Sequence, residues 1–230
     1  MLLETEELSV AFGGVKALDG AHLSVAAGEV VGLIGPNGAG KTTFIDAVTG
    51  FVPSTGRVMF DGSDIAHLAP HRRARTGVVR TFQQLELYQD LSVADNIRVA
   101  AKSTAPDPSV ALLERFGLER LAQVYPEDLS HGHQRLVGIA RALASEPRLL
   151  LLDEPAAGLD SSESIGLVEP IRALAAEGIG VLLIDHDVDL VFAVCDRVYV
   201  LDFGKVIGSG TPAEVGCSEV VRTAYLGASA

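Results

Sequence analysis

Val30-Val31-Gly32-Leu33-Ile34-Gly35-Pro36-Asn37-Gly38-Ala39-Gly40-Lys41-Thr42-Thr43 is the stretch on which the fold of this 230-residue chain turns. Its first five residues form a short apolar run of the kind that fills a strand buried on both faces. Residues 41–48 read as a helix, and residues 35–42 between the two match G-x-x-x-x-G-K-[ST] in full. A glycine-rich turn between strand and helix aims several backbone N–H groups at one point. The helix start adds about half a positive charge there. Lys41 brings a mobile cation for the β- and γ-phosphates, and the Thr42 hydroxyl is suited to Mg²⁺. The ligand implied is a nucleoside triphosphate, and Gly35, Pro36, Asn37, Gly38, Ala39, Gly40, Lys41, Thr42 and Thr43 are its candidate contacts.

A second apolar run, Leu149-Leu150-Leu151-Leu152, ends in Asp153-Glu154. In a parallel α/β sheet ligands sit beyond the carboxyl ends of the strands. Asp153 is thereby placed to hold Mg²⁺, and Glu154 to orient and deprotonate an attacking water. A third run, residues 181–184, is followed closely by His186, which puts that imidazole at the same edge. Between these two strands residues 165–177 read as a helix, which is βαβ logic and implies parallel strands.

Outward from this centre the N-terminal part reads as strands: residues 8–12 alternate in polarity, with Leu8, Val10 and Phe12 on one face. Residues 21–26 and 57–60 are further candidates, the latter running into an Asp61-Gly62 turn. The middle reads as helical, over residues 92–102 with a Ser92/Asp95 cap, 110–116 and 133–144, the last closed by Pro147. The division expected is a core of residues 1–84 and 148–230 interrupted by a helical insert at 85–147.

The bulk numbers narrow the function. With 18 Lys and Arg against 30 Asp and Glu the formal charge is −12, so nucleic acid is not expected as a partner. Arg72, Arg73 and Arg75 read as a solvated face. Cys195 and Cys217 have no metal-ligand spacing and make no disulfide framework, which fits a reducing cytoplasm. Neither a signal peptide nor an apolar run long enough to span a bilayer is visible, so work at a membrane is expected to go through partners.

Taken together these motifs resemble an ABC transporter ATP-binding domain over essentially the whole chain. Leu129-Ser130-His131-Gly132-His133-Gln134-Arg135 resembles the signature segment, with His131 and His133 departing from the family's glycine and glutamine. The resemblance implies a P-loop NTPase fold: a RecA-like α/β core with an antiparallel β subdomain and a helical insert. It implies ATP and Mg²⁺ as cofactors. Gln83 would be the glutamine that reaches Mg²⁺ and the attacking water, and His186 the switch histidine. Gly158-Leu159-Asp160 would be the interface loop, and Ser130 and Gly132 contacts to the γ-phosphate of an opposite subunit. Phe12 stands where the family stacks an aromatic on adenine; core packing is the alternative, because the strand pattern puts it on one face with Leu8 and Val10. The partners implied are a second ATP-binding subunit, identical or related, integral membrane permease subunits and, indirectly, a solute-binding protein. The chain would then lie peripherally on the cytoplasmic membrane face.

Phe12-Gly13-Gly14, Arg80-Thr81-Phe82-Gln83, Ala156-Ala157-Gly158-Leu159 and Ala224-Tyr225-Leu226-Gly227 further resemble subunits of branched-chain amino-acid importers. A urea or amide importer, or a soluble ABC-type ATPase uncoupled from transport, are the alternatives. His131 and His133 also leave open a nucleotide sensor without turnover.

Overall fold

In the computed structural model, residues 1–82, 87–102, 106–219, 221 and 223 are described. The apolar runs of the sequence form the middle of a parallel sheet. Strands β3 (Val30–Ile34), β7 (Leu149–Asp153) and β8 (Gly180–Ile184) are buried along their whole length. With β6 (Val78–Arg80), β9 (Arg197–Asp202) and β10 (Lys205–Gly210) they make a sheet in the order β10-β9-β3-β8-β7-β6, antiparallel only at β9–β10. A second, antiparallel sheet of order β2-β1-β4-β5 contains β1 (Leu3–Phe12), β2 (Val15–Val25), β4 (Thr55–Phe60) and β5 (Ser63–Asp64).

Alternation along the buried strands splits the interior in two. Leu149, Leu151, Leu182 and Ile184 pack toward helix α1 (Lys41–Thr49) and the antiparallel sheet, in one cluster with Phe44, Ile45, Leu8 and Val10. Leu150, Leu152, Val181 and Leu183 face the other way. They share a cluster with Ile139 of α5 (His131–Leu143), Ile171 of α7 (Val168–Ala176) and Val191 of α8 (Val188–Val194). Burial on both faces explains why these strands read as continuous hydrophobic runs instead of alternating ones. The remaining helices are α2 (Pro70–Thr76), α3 (Val93–Arg98), α4 (Ser109–Arg115), α6 (Ser161–Ile165) and α9 (Pro212–Cys217).

Several boundaries differ from the sequence expectation. Helix α5 begins at His131, two residues earlier than expected, because the Ser130 side chain caps it by accepting the His133 N–H at 3.3 Å. Gly132 therefore lies inside the first turn. The helix expected over 165–177 is α7, which starts only at Val168; the separate short α6, started by a capping box of Asp160 and Glu163, precedes it. Ser92 caps α3 as expected, but the helix stops at Arg98.

Arg73 corrects a further expectation. It is not on a solvated face but 3% exposed. It donates to Ala47 O and Val48 O at 2.7 Å each, to Ala66 O at 2.6 Å and to Leu68 O at 2.9 Å. Two of those carbonyls belong to the last turn of α1, where acceptors have no partner within the helix. The guanidinium thus closes the end of the helix whose beginning carries the glycine-rich loop. Replacing Arg73 with Met would remove four hydrogen bonds to carbonyls, those to Ala47 O and Val48 O being buried, and lower stability by roughly 3 kcal/mol. A urea titration followed by circular dichroism checks this, with the midpoint expected to fall at unchanged slope.

Candidate functional site

The parallel register brings the sequence motifs to one edge. Leu33 of β3 pairs with Ile184 of β8, and Ile184 in turn pairs with Asp153 of β7. Just beyond these positions the chain continues into the glycine-rich loop, the Asp185-His186 pair and Glu154, respectively. Close packing shapes the loop itself. A Cβ on Gly35 would sit 2.1 Å from the Leu201 carbonyl oxygen, and one on Gly40 would sit 2.5 Å from that of Ala17. Gly40 also has φ 107°, a left-handed backbone disfavoured for other residues, and it is the N-cap of α1. The Ala39 carbonyl accepts the Gly204 N–H at 2.9 Å, so the β9–β10 turn braces the loop from outside.

Lys41 folds back over this loop. Its Nζ donates to Gly35 O at 2.7 Å and Pro36 O at 3.1 Å. Burial pushes its pKa down, while the charges of Glu154, Asp153 and Asp185 oppose that shift. The ammonium is satisfied by loop carbonyls and faces three carboxylates, so the loop can exchange these bonds for phosphate oxygens.

Asp153 is 2% exposed, and its Oδ2 accepts from Arg80 Nη2 at 2.7 Å. Its own N–H donates to Thr81 Oγ1 at 3.4 Å. Glu154 adopts φ 48° and donates its N–H to Ile184 O at 2.7 Å, which ties the β7 terminus to β8 and turns the side chain out of strand geometry. A non-glycine residue in this region costs on the order of 1 kcal/mol, and the Ile184 hydrogen bond holds Glu154 there. His186 Nδ1 lies 4.0 Å from Glu154 Oε2 and 3.4 Å from Asp185 Oδ1.

Asp185 belongs to none of the motifs singled out in the sequence. It is fully buried, and its carboxylate accepts the N–H groups of Ala156 and Asp187 at 2.9 Å each. It therefore fixes both the segment after Glu154 and the loop that carries His186. Its position directly before His186, at the end of an apolar strand, is the signal that could have found it. Arg135 closes the signature-like segment without any visible signal of a role of its own. Its Nη2 donates to Ala157 O at 2.7 Å and joins α5 to the same segment.

The remaining expected residues fall in different places. Ser130 is exposed at the α5 N-terminus, with Oγ 3.1 Å from His133 Nδ1. Gly158-Leu159-Asp160 runs into the α6 cap, where Asp160 Oδ1 accepts the Ser162 and Glu163 N–H groups. Phe12 ends β1 and is 52% exposed, so the core-packing alternative does not hold for it. Gln83, and the terminal Ala224-Tyr225-Leu226-Gly227, lie outside the described residues. Asn37 and Gly38 are exposed on the loop and Thr42 is exposed in the first turn of α1, open to a ligand, whereas Thr43 is half-buried beside it.

Beside this edge lies a groove of about 370 Å³ between β6 and the helices, lined among others by Val79, Arg80, Phe82, Tyr88, Val99 and Arg141. Phe82, Tyr88 and Val99 are exposed. The Arg141 guanidinium sits 5.6 Å from the Tyr88 ring centre. No helix is long and apolar enough to cross a membrane, and no group of three or more metal-binding side chains occurs, among the described residues.

Known proteins share this sequence pattern and this fold. The sequence model of the ABC transporter family matches residues 18–157. The chain is 40% identical over 233 residues to the lipopolysaccharide export system ATP-binding protein LptB of Escherichia coli, covering 98% of this chain and 97% of that protein. It is 37% identical over 249 residues to the high-affinity branched-chain amino acid transport ATP-binding protein BraF of Pseudomonas aeruginosa, covering 98% of each. A nucleotide-free ATP-binding cassette of an ABC transporter superposes with TM-score 0.90 at 32% identity, covering 97% of this chain and 98% of that one. A dimeric post-hydrolysis cassette bound to ADP and Pi superposes with TM-score 0.79 at 25% identity, over 91% and 98%. With its glycine-rich loop, acidic strand end and histidine at one sheet edge, the chain belongs to the ABC transporter family as an ATP-binding cassette, an ATPase.

Proposed function

We propose that this cassette hydrolyses Mg-ATP at a site shared between two subunits and so drives a membrane permease that moves small solutes, of the branched-chain amino-acid type. The observation that carries the hydrolytic part is the level placement of Lys41, Asp153, Glu154 and His186 at one sheet edge. Residues 35–43 hold the triphosphate, and Phe12, exposed at the end of β1, stacks on adenine. Thr42, Asp153 and Gln83 would hold Mg²⁺, whose charge offsets that of the phosphates. The buried Asp153 carboxylate and the exposed Thr42 hydroxyl, both oxygen donors, fit the chemistry of an oxygen-seeking ion.

Glu154 takes a proton from a water as its oxygen bonds to the γ-phosphorus. The bond from that phosphorus to the bridging oxygen breaks, leaving ADP and Pi. His186 positions the water through its place beside Glu154. Ser130 and Gly132, at the exposed start of α5, reach the γ-phosphate of a neighbouring subunit in a two-fold arrangement. That arrangement is the reason a dimeric relative bound to ADP and Pi is relevant here. Closing on ATP and opening after its loss are the consequence of a contact that only one state offers.

Residues 85–147 form the permease-facing part, and the exposed aromatic groove at Phe82, Tyr88 and Val99 suits a helix of that partner. With a solute-binding protein outside, the cassette would sit at the cytoplasmic membrane face. Export is a second reading because the lipopolysaccharide-export relative is 40% identical, against 37% for the amino-acid transport one.

Replacing Glu154 with Gln should preserve ATP binding and cost roughly 10²–10⁴-fold in turnover; unchanged hydrolysis removes Glu154 from its role as the base. Affinity purification of the tagged chain from its own membranes tests the transport reading. A permease pair together with a solute-binding protein is expected, whereas a lipopolysaccharide-export assembly, or no membrane protein, contradicts solute uptake.

A further inference from the structure

Arg80 is a buried cation shared by two carboxylates on different elements. It ends β6, the strand beside β7, and its side chain is only 8% exposed. Nη2 donates to Asp153 Oδ2 at 2.7 Å, and Nη1 donates to Asp46 Oδ1 on α1. The guanidinium carbon lies 4.9 Å from the Phe82 ring centre and 6.0 Å from that of Phe51. The two rings meet edge-on at 6.0 Å and flank the group. Nε is buried and makes no hydrogen bond among the described residues.

These contacts place a full positive charge against the carboxylate read above as a metal ligand. A carboxylate as enclosed as Asp153 is costly to leave unpaired, so a partner is required whenever metal is absent. A divalent ion brought to the same carboxylate meets a like charge already in place. Asp46, with its side chain 26% exposed, offers that charge a second anchor on the helix that begins at the phosphate loop. The spare Nε donor lets the guanidinium keep bonds as its weight moves from one carboxylate to the other.

We propose that Arg80 is an exchangeable counter-ion: it neutralises Asp153 while metal is absent and is drawn to Asp46 as metal binds. This rests on the reading of Asp153 as a metal ligand. Arg80 itself touches no phosphate and acts as a positioning residue. Because Arg80 and Phe82 also line the aromatic groove, the exchange shifts the groove wall at the moment the metal site fills.

The two ends of the pair predict opposite signs, which a merely structural role would not. The readout is the Mg²⁺ concentration giving half the metal-dependent gain in affinity for a fluorescent, slowly hydrolysed ATP analogue. Binding of the same analogue in EDTA reports that each variant has a folded loop. Arg80→Gln removes the competing charge and should lower that concentration by roughly tenfold, the scale of one nearby charge. Asp46→Asn leaves Arg80 to Asp153 alone and should raise it by roughly the same factor. Shifts of the same sign for Arg80→Gln and Asp46→Asn, or no shift in either, overturn the proposal. Asp153→Asn separates the two readings. If it leaves the metal requirement intact, the ligand assignment falls and the counter-ion with it. If it abolishes the requirement while the other two variants fail to diverge, the counter-ion alone falls.

Discussion

Register between three parallel strands is the constraint on which the site depends. Because Leu33, Ile184 and Asp153 stand level across β3, β8 and β7, the chain segments leaving those strands emerge side by side. One slip of a residue would turn every side chain of the slipped strand to the opposite face, taking Leu149 and Leu151 away from the cluster around Phe44. The hydrophobic split of the interior therefore fixes the chemistry at the edge. A site assembled from positions as far apart as 41, 153 and 186 needs no further device to bring them together.

Polar bonds then refine what the register delivers. The Glu154 N–H bond to Ile184 O bends the acidic pair apart, so that Asp153 points inward toward Arg80 while Glu154 turns toward His186. Buried Asp185 spends both carboxylate oxygens on backbone N–H groups of the neighbouring turns, a use of charge that stabilises only when such donors are present. On the other flank Arg73 closes the far end of α1. Among the described residues Arg73 meets carbonyls, Arg80 meets carboxylates and Asp185 meets backbone N–H groups, which is the condition for keeping charge inside a fold.

Much of this is legible in the sequence. The loop at 35–42, the apolar run ending in Asp153-Glu154 and the run ahead of His186 are local patterns, and local patterns survive in a sequence. The parallel sheet is their direct consequence. Arg73 and Arg80 are not legible, because a lone arginine carries no sign of whether it will find carbonyls or water; Arg73 reads as solvated for lack of a visible partner. The start of α5 departs from expectation by two residues for a related reason. Glycine and histidine at 131–133 are weak helix formers, and only the Ser130 cap decides where the first turn begins. Phe12 shares a strand face with Leu8 and Val10 in the pattern, but the strand ends there and leaves the ring outside.

A crystal structure of the Glu154→Gln protein grown with Mg-ATP examines the phosphate cradle itself. The β- and γ-phosphates are expected about 3 Å from the backbone nitrogens of the 35–42 turn, with Lys41 Nζ moved from the Gly35 and Pro36 carbonyls onto phosphate oxygen. A nucleotide seated elsewhere, with Lys41 still bonded to its own loop, would contradict that cradle and the hydrolytic site built around it.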